Sequence, residues 1–271
     1  MLKTRVLTAA VLLAAFGAAL FLLPHSGWIA FCAAVLGAAV WEWGALAGLA
    51  PPARSVYTAS LMLLFLAVPY LSGLADGAHA PAWVYAASGT FWILLAPFWI
   101  WRSRYAGGRA ALLTVGVVIL VPAGAALVDL RSGHPALLLA VLGTVWISDS
   151  AAYFVGRRFG RRKLAPAVSP GKTWEGVAGA LAAVALYACA WVTLGAPQNP
   201  WVGGSRWTPA FAAVLLGLAV VGIIGDLFES LIKRQAGVKD SGTLLPGHGG
   251  ILDRIDAPVA MLPLAVLAFM R

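Results

Sequence analysis

Charge is scarce in this chain. Only 11% of its 271 residues are Asp, Glu, Lys or Arg, and 61% are hydrophobic. A soluble globular domain carries about 25% charged residues, so an ordinary soluble enzyme is excluded and the surplus apolar surface needs a second apolar phase, the bilayer. Cysteine and histidine are scarce too: two Cys and four scattered His give no disulfide framework and no zinc-ligand cluster. Periodic glycine and polar low-complexity tracts are missing, which excludes collagen and intrinsic disorder.

What the chain has instead is long apolar runs. A spanning helix needs about 20 mostly apolar residues, because the hydrocarbon layer is about 30 Å thick and a helix rises about 1.5 Å per residue. Nine runs, near 6–23, 28–48, 56–75, 82–101, 110–128, 135–155, 176–196, 209–231 and 257–270, predict an all-α polytopic integral membrane protein with about nine transmembrane helices. The first run exceeds the roughly 7 to 15 apolar residues of a signal-peptide core, so it reads as a span. Drawn through nine spans, sixteen of the nineteen Lys and Arg fall on one side, leaving Arg131, Arg206 and Arg271 on the other. Short basic loops stay in the cytoplasm, so the N-terminus is expected there. The net charge of +9 then reflects topology and attraction to anionic lipid, with no nucleic acid required.

The ten acidic residues are distributed unevenly. Asp149, Glu175, Asp226, Glu229, Asp240, Asp253 and Asp256 lie on or beside the same ends of runs six to nine, whereas the first half keeps Glu42, Asp76 and Asp129, of which only Glu42 lies within a run. Carboxylates near a membrane core are costly and mark ion or substrate handling. Residues 1–130 therefore read as transmembrane scaffold and 131–271 as the catalytic region.

Two polar blocks carry the chemistry. Asp226, Glu229, Ser230 and Lys233 stand at i, i+3, i+4 and i+7 and share one helical face. Lys239-Asp240-Ser241-Gly242 follows, then Pro246-Gly247-His248-Gly249-Gly250 and Asp253-Arg254-Ile255-Asp256. Glycines let backbone N–H groups approach an anion, Lys and Arg supply charge, and carboxylates hold a divalent cation, a combination that suits a metal-bound polyphosphate. The other block runs from Asp149 and Tyr153 through Arg157-Arg158 and Arg161-Arg162-Lys163 to Ser169-Pro170-Gly171-Lys172-Thr173-Trp174-Glu175. Its Gly-Lys-Thr is not a phosphate-binding P-loop, because Pro166 stands where that motif needs glycine. It reads as a basic loop that enters a helix at Ser169 or Thr173 and turns Lys172 and the orphan N–H groups toward phosphate.

The segment from Ser230 to Asp256 resembles the signature of phosphatidate cytidylyltransferases, also called CDP-diacylglycerol synthases: Ser-Leu-Ile-Lys-Arg, four residues, Lys-Asp-Ser-Gly, then Leu-Pro-Gly-His-Gly-Gly-Ile-Leu-Asp-Arg-Ile-Asp. The upstream block is similar to a second stretch of that family, with Gly171 as a departure where many members have Lys. The resemblance covers about 145–260 closely and only in composition before that.

The resemblance implies transfer of the cytidylyl group of CTP to phosphatidate, giving CDP-diacylglycerol and pyrophosphate. It also implies a Mg²⁺ requirement, with a second metal or monovalent cation left open, and a homodimer in the plasma or inner membrane whose active site faces the cytoplasm. By position and by similarity to the family, Asp226 and Asp253 would hold the metal centre, with Glu229, Asp240 and Asp256 as further ligands or their neighbours. Lys172, Lys233, Arg234, Lys239 and Arg254 would grip phosphates. Asp149, Tyr153, Ser169, Thr173, Glu175, Ser230, Gly249 and Gly250 would complete the substrate site, and His248 would donate to a phosphate or hold a turn. A CTP-dependent polyprenol or phytol kinase is the rival within enzymes. A cation-coupled transporter is the rival outside them, but its carboxylates belong near the bilayer midplane in paired halves.

Overall fold

The computed structural model describes residues 2–68, 79–105, 107–194, 208–245, 247 and 249–270. The far ends of the third and seventh apolar runs, Asp76, Arg206, Arg271 and the predicted phosphate donor His248 lie outside the described residues. The helices are α1 (Leu2–Leu22), α2 (His25–Leu46), α3 (Pro51–Ala67), α4 (Ala82–Thr90), α5 (Ala96–Trp101), α6 (Arg109–Gly133), α7 (Pro135–Phe159), α8 (Trp174–Leu194), α9 (Thr208–Gln235) and α10 (Leu252–Phe269). One π-helical stretch, Phe91–Leu95, joins α4 and α5 into a continuous apolar helix.

Among the described residues six helices are long and apolar enough to cross a membrane: α2, the α4–α5 helix, α6, α7, α8 and α9. The chain is therefore an all-α polytopic membrane protein. The other three predicted runs coincide with α1, α3 and α10, which differ for local reasons. The apolar stretch described in α1 is Leu13–Leu22, α3 is 17 residues long, and α10 opens with Asp253, Arg254 and Asp256 before its apolar part begins. Among the described residues the strands are a hairpin of β1 (Lys163–Ala165) and β2 (Ser169–Thr173), paired antiparallel with Lys163 opposite Thr173, beside an isolated bridge between Leu245 and Gly249.

α10 is the hub, packed against α9, α6, α4, α7 and α2. It contains Pro258 and Pro263, whose missing N–H groups are tolerated in a helix surrounded by other helices. α9 and α10 meet at Gly225, where a Cβ would lie 2.6 Å from the Asp256 carbonyl oxygen. Only glycine permits this approach, and it brings Asp226 level with Asp256. α2 is fixed to α6 by side-chain donors: Trp43 Nε1 donates to the Leu112 carbonyl at 3.0 Å, and Tyr57 of α3 donates to that of Leu113 at 2.8 Å. Without a hydrophobic force between helices in lipid, such bonds and close packing are what hold a bundle together.

The end of the bundle that carries the basic loops is also cross-tied. Gln235 at the end of α9 accepts from the Tyr105 amide at 2.9 Å, Lys172 of β2 pairs with Asp226 of α9, and Ser241 donates to Glu42 of α2. The loops 102–109, 160–173 and 236–251 thus share one end.

Phe228 anchors α9 beside these groups. It is 1% exposed and touches the rings of Phe91, Trp92, Trp99 and Trp43 at centroid distances of 5.2, 5.6, 6.1 and 6.4 Å. Phe228→Ala is expected to destabilise the folded protein by about 2 kcal/mol in detergent, below the 3–5 kcal/mol of a soluble core because lipid or detergent offers an alternative apolar phase. Thermal unfolding followed by tryptophan fluorescence checks this, and an unshifted midpoint contradicts it.

Candidate active site

The loop between α9 and α10 is organised by two carboxylates. Glu42, near the end of α2 and 3% exposed, accepts from Ser241 Oγ at 2.9 Å, the Ile251 amide at 3.0 Å and the Leu252 amide at 2.8 Å. Ile251 and Leu252 open α10, so their N–H groups have no partner within the helix, and a carboxylate there also meets the positive end of the helix dipole. A Cβ on Gly242 or Gly250 would run into the Glu42 carboxylate, which explains these two glycines. Asp253, in the first turn of α10, accepts from the Gly250 amide at 2.8 Å, the Ser241 amide at 3.0 Å and Lys233 Nζ at 2.6 Å. Burial pushes the Asp253 carboxyl up, but the Lys233 ammonium and the Gly250 and Ser241 amides outweigh it and hold the group below the ordinary carboxylate range.

Two ion-pair systems stand side by side. Lys233 Nζ bridges Glu229 Oε2 at 2.7 Å, one helical turn away on α9, and Asp253 Oδ1 at 2.6 Å on α10. This system is enclosed, with side-chain exposures of 12%, 5% and 4% for Lys233, Glu229 and Asp253. Lys172 Nζ pairs with Asp226 Oδ2 at 2.6 Å, and here the side chains are 25% and 32% exposed, so this pair is what an incoming ligand reaches. Asp226 Oδ1 also receives Ser230 Oγ at 3.4 Å. Asp149 lies within electrostatic reach of Asp226, Lys172 and Arg254, and Asp256 within reach of Asp226, Glu229 and Lys172. Glu229 Oε1 is buried with no hydrogen-bond partner.

The second block is built by caps. Thr173 Oγ1 accepts from the Gly176 amide at 3.1 Å and starts α8, which places the helix entry at Thr173, with Ser169 left in β2. Glu175 accepts the amides of Arg161 and Arg162 at 3.0 and 3.2 Å, so it closes the base of the hairpin that carries Lys172. Tyr153 accepts from Arg157 at 2.9 Å one turn along α7. Arg234, Lys239 and Asp240 lie exposed at the end of α9 and in the loop after it, with Asp240 beneath Gly249, a glycine at φ +82. The structure thus gathers Asp149, Lys172, Asp226, Glu229, Ser230, Lys233, Asp253, Arg254 and Asp256. Tyr153, Glu175, Arg234 and Lys239 are not in the hydrogen bonds and ion pairs of that group. Glu42 is absent from the sequence-based site; its signal was its position as an acidic residue within an apolar run of the first half.

The donors available to a cation are all carboxylate oxygens, the type that suits Mg²⁺. Five carboxylates, those of Asp149, Asp226, Glu229, Asp253 and Asp256, face Lys172, Lys233 and Arg254. The excess is acidic, and the unpartnered Glu229 oxygen is an acceptor without a donor. Both observations fit a bound cation in kind. Among the described residues no three such side chains converge at ligand distance, and the Lys172 and Lys233 ammonium groups stand among them.

Glu42→Gln removes the charge that joins Ser241, Ile251 and Leu252. A charged acceptor of this kind is worth about 2 kcal/mol, or roughly a 30-fold change in local opening. Amide hydrogen exchange at 241–252 is expected to accelerate by that factor while α6 is unaffected; unchanged exchange in the loop contradicts the assignment.

Comparison with known proteins gives a concordant picture. A family model described as "Cytidylyltransferase family" matches residues 3–270. The chain is 42% identical over 269 residues to the phosphatidate cytidylyltransferase of Pseudomonas aeruginosa, covering 97% of this chain and 95% of that protein. It is 36% identical over 285 residues to the phosphatidate cytidylyltransferase of Haemophilus influenzae, covering 97% and 96%. Similarity to the Bacillus subtilis phosphatidate cytidylyltransferase is 43% over 119 residues, 44% of this chain and 42% of that one.

Proposed function

The chain belongs to the cytidylyltransferase family, and we propose that it transfers the cytidylyl group of CTP to phosphatidate, releasing pyrophosphate and leaving CDP-diacylglycerol in the membrane. It is a membrane nucleotidyltransferase of phospholipid synthesis. The supporting geometry is the reachable Lys172–Asp226 pair beside the enclosed Lys233 bridge, at one end of an apolar bundle.

In the reaction a phosphate oxygen of phosphatidate bonds to the α-phosphorus of CTP, and the bond from that phosphorus to the β-phosphate bridging oxygen breaks, with pyrophosphate taking the electron pair. A phosphomonoester has a second pKa of about 6, so the nucleophile is anionic near neutral pH and needs no dedicated base. The site has to align two anions and offset their charge. Lys172 and Arg254 supply cationic contacts where the two headgroups meet. Lys233 keeps Glu229 and Asp253 in register, and Ser230 steadies Asp226. Lys239 and Arg234, at the rim of the loop, serve the polyphosphate tail.

Five carboxylates alone repel a triphosphate. Mg²⁺ is part of the proposal for that reason, with Asp226, Asp253, Glu229 and Asp256 as its binding set; it would neutralise phosphate charge and polarise the α-phosphate. Supporting the choice are the acidic excess and the unpartnered Glu229 oxygen. Nine spans, a cytoplasmic N-terminus and a site on the cytoplasmic face of the inner membrane belong to the same proposal, supported by sixteen basic residues on one side. The homodimer rests on the resemblance alone.

The test is turnover of α-labelled CTP with phosphatidate and Mg²⁺ by purified protein in detergent. Label is expected in a lipid-soluble cytidine product, and Asp226→Asn is expected to lower the rate on the order of a hundredfold with the fold intact. Lipid label from γ-labelled CTP instead would establish the kinase. No lipid product from either label would overturn both enzyme readings.

A further inference from the structure

A groove of about 230 Å³ opens under Arg254, on the face of α10 turned toward α2, α6 and α7. At one end stand Arg254, Leu245 and Ile251, contributed by the active-site loop and the start of α10. Beyond them the lining is apolar: Ile255, Pro258 and Leu262 of α10, with Leu36 of α2, Ala123 of α6 and Leu142 of α7. Its far end is closed by Phe16 and Phe31, which pack on Trp28 at ring distances of 5.9 and 5.5 Å. Trp28 is in turn held to the Leu127 carbonyl at 3.2 Å. Trp146, 47% exposed on α7, forms the lip through which the groove meets lipid.

Three magnitudes decide what fits. From Ile251 to Leu262 the groove follows α10 for eleven residues, about 16 Å at 1.5 Å per residue. Half of the roughly 30 Å hydrocarbon layer is about 15 Å, the depth that one acyl chain occupies in a leaflet. The volume is too small for another helix, about 10 Å across, and lies below the roughly 300–1,000 Å³ of drug-sized ligand sites. Past Arg254 the lining is almost wholly apolar, so a polar solute would find little to bond.

The geometry points to this groove as the seat of one acyl chain of the lipid substrate, whose phosphate is then delivered to Arg254 and Lys172. The inference rests on the phosphatidate reading above and adds where the lipid lies and what sets its chain length. The second chain stays in the bilayer. Because the chain passes between two apolar surroundings, the groove supplies alignment more than affinity. The aromatic end is a stop that a chain longer than the groove meets.

Ala123 sits next to Gly124, which faces Leu36, six residues or about 9 Å along α2 from Glu42. Ala123→Phe fills the groove at that depth. The assay compares dihexanoyl with dioleoyl phosphatidate in mixed micelles at fixed surface concentration, reading cytidylylated lipid. The ratio of kcat/KM for dioleoyl over dihexanoyl is expected to fall at least tenfold in Ala123→Phe. Phe31→Ala, which opens the far end, is expected to raise at least threefold the ratio for a 22-carbon over an 18-carbon diacyl substrate. Leu186→Phe, on the exposed face of α8, is the control for added bulk. Chain-length ratios that stay within twofold of wild type in the two groove variants overturn the assignment, as does an equal loss at every chain length. If Ala123→Phe fails to fold, Phe31→Ala decides alone. A wild-type protein that cytidylylates neither substrate overturns the enzyme reading and the groove with it; a wild type that turns over both, with variants that do not discriminate, overturns the groove alone.

Discussion

The Lys233 ammonium group is the constraint on which the site depends. It stands between Glu229 on α9 and Asp253 on α10, two helices whose backbones already touch at Gly225, and it is almost enclosed. Removing one member of a buried pair leaves the other uncompensated at a cost of about 3–5 kcal/mol, so each of the three groups fixes the others. Asp253 extends this order into the loop through Gly250 and Ser241, and Ser241 passes it to Glu42. The four groups, from three helices, make the glycine-rich loop a defined surface at the end of α10.

A charged network is costly inside a bilayer, and its placement follows from that cost. Its members lie in the halves of α2, α9 and α10 nearest the basic loops, and the apolar lengths of α2, α6, α7 and α10 lead away from them. In the proposed reaction a nucleotide from water and a headgroup from lipid would meet there without either leaving its own phase. The partly exposed Lys172–Asp226 pair and the buried Lys233 bridge differ in reach: the first is open to solvent, and the second holds the frame. The acidic excess around them is what the proposed Mg²⁺ would offset.

Local spacing made much of this legible in the sequence. Apolar runs of bilayer length predict the helices, and the i, i+3, i+4, i+7 spacing of Asp226, Glu229, Ser230 and Lys233 places them on one face. Two capping residues, Ser169 and Thr173, are open as the helix entry in the sequence, and the Gly176 amide on Thr173 places it at the second. What escaped is what joins distant segments. Glu42 and Ser241 are 199 residues apart, and no periodicity or turn chemistry links them, so the contribution of α2 to the loop appears only in three dimensions. The sequence shows 160–173 only as a basic loop, and the hairpin that Glu175 closes through the Arg161 and Arg162 amides appears only in three dimensions. The count of spans blurs where function intrudes: α10 carries Asp253, Arg254 and Asp256 in its opening turns and so reads as too polar for a simple span.

A double-mutant cycle on Lys233 and Asp253 tests the central claim most directly. Unfolding free energies in detergent are compared for Lys233→Met, Asp253→Asn and the pair together. The bridge predicts coupling of at least about 1.5 kcal/mol, so that the double variant loses clearly less stability than the two single losses added together. Losses that simply add would mean the two side chains act independently, which contradicts the account.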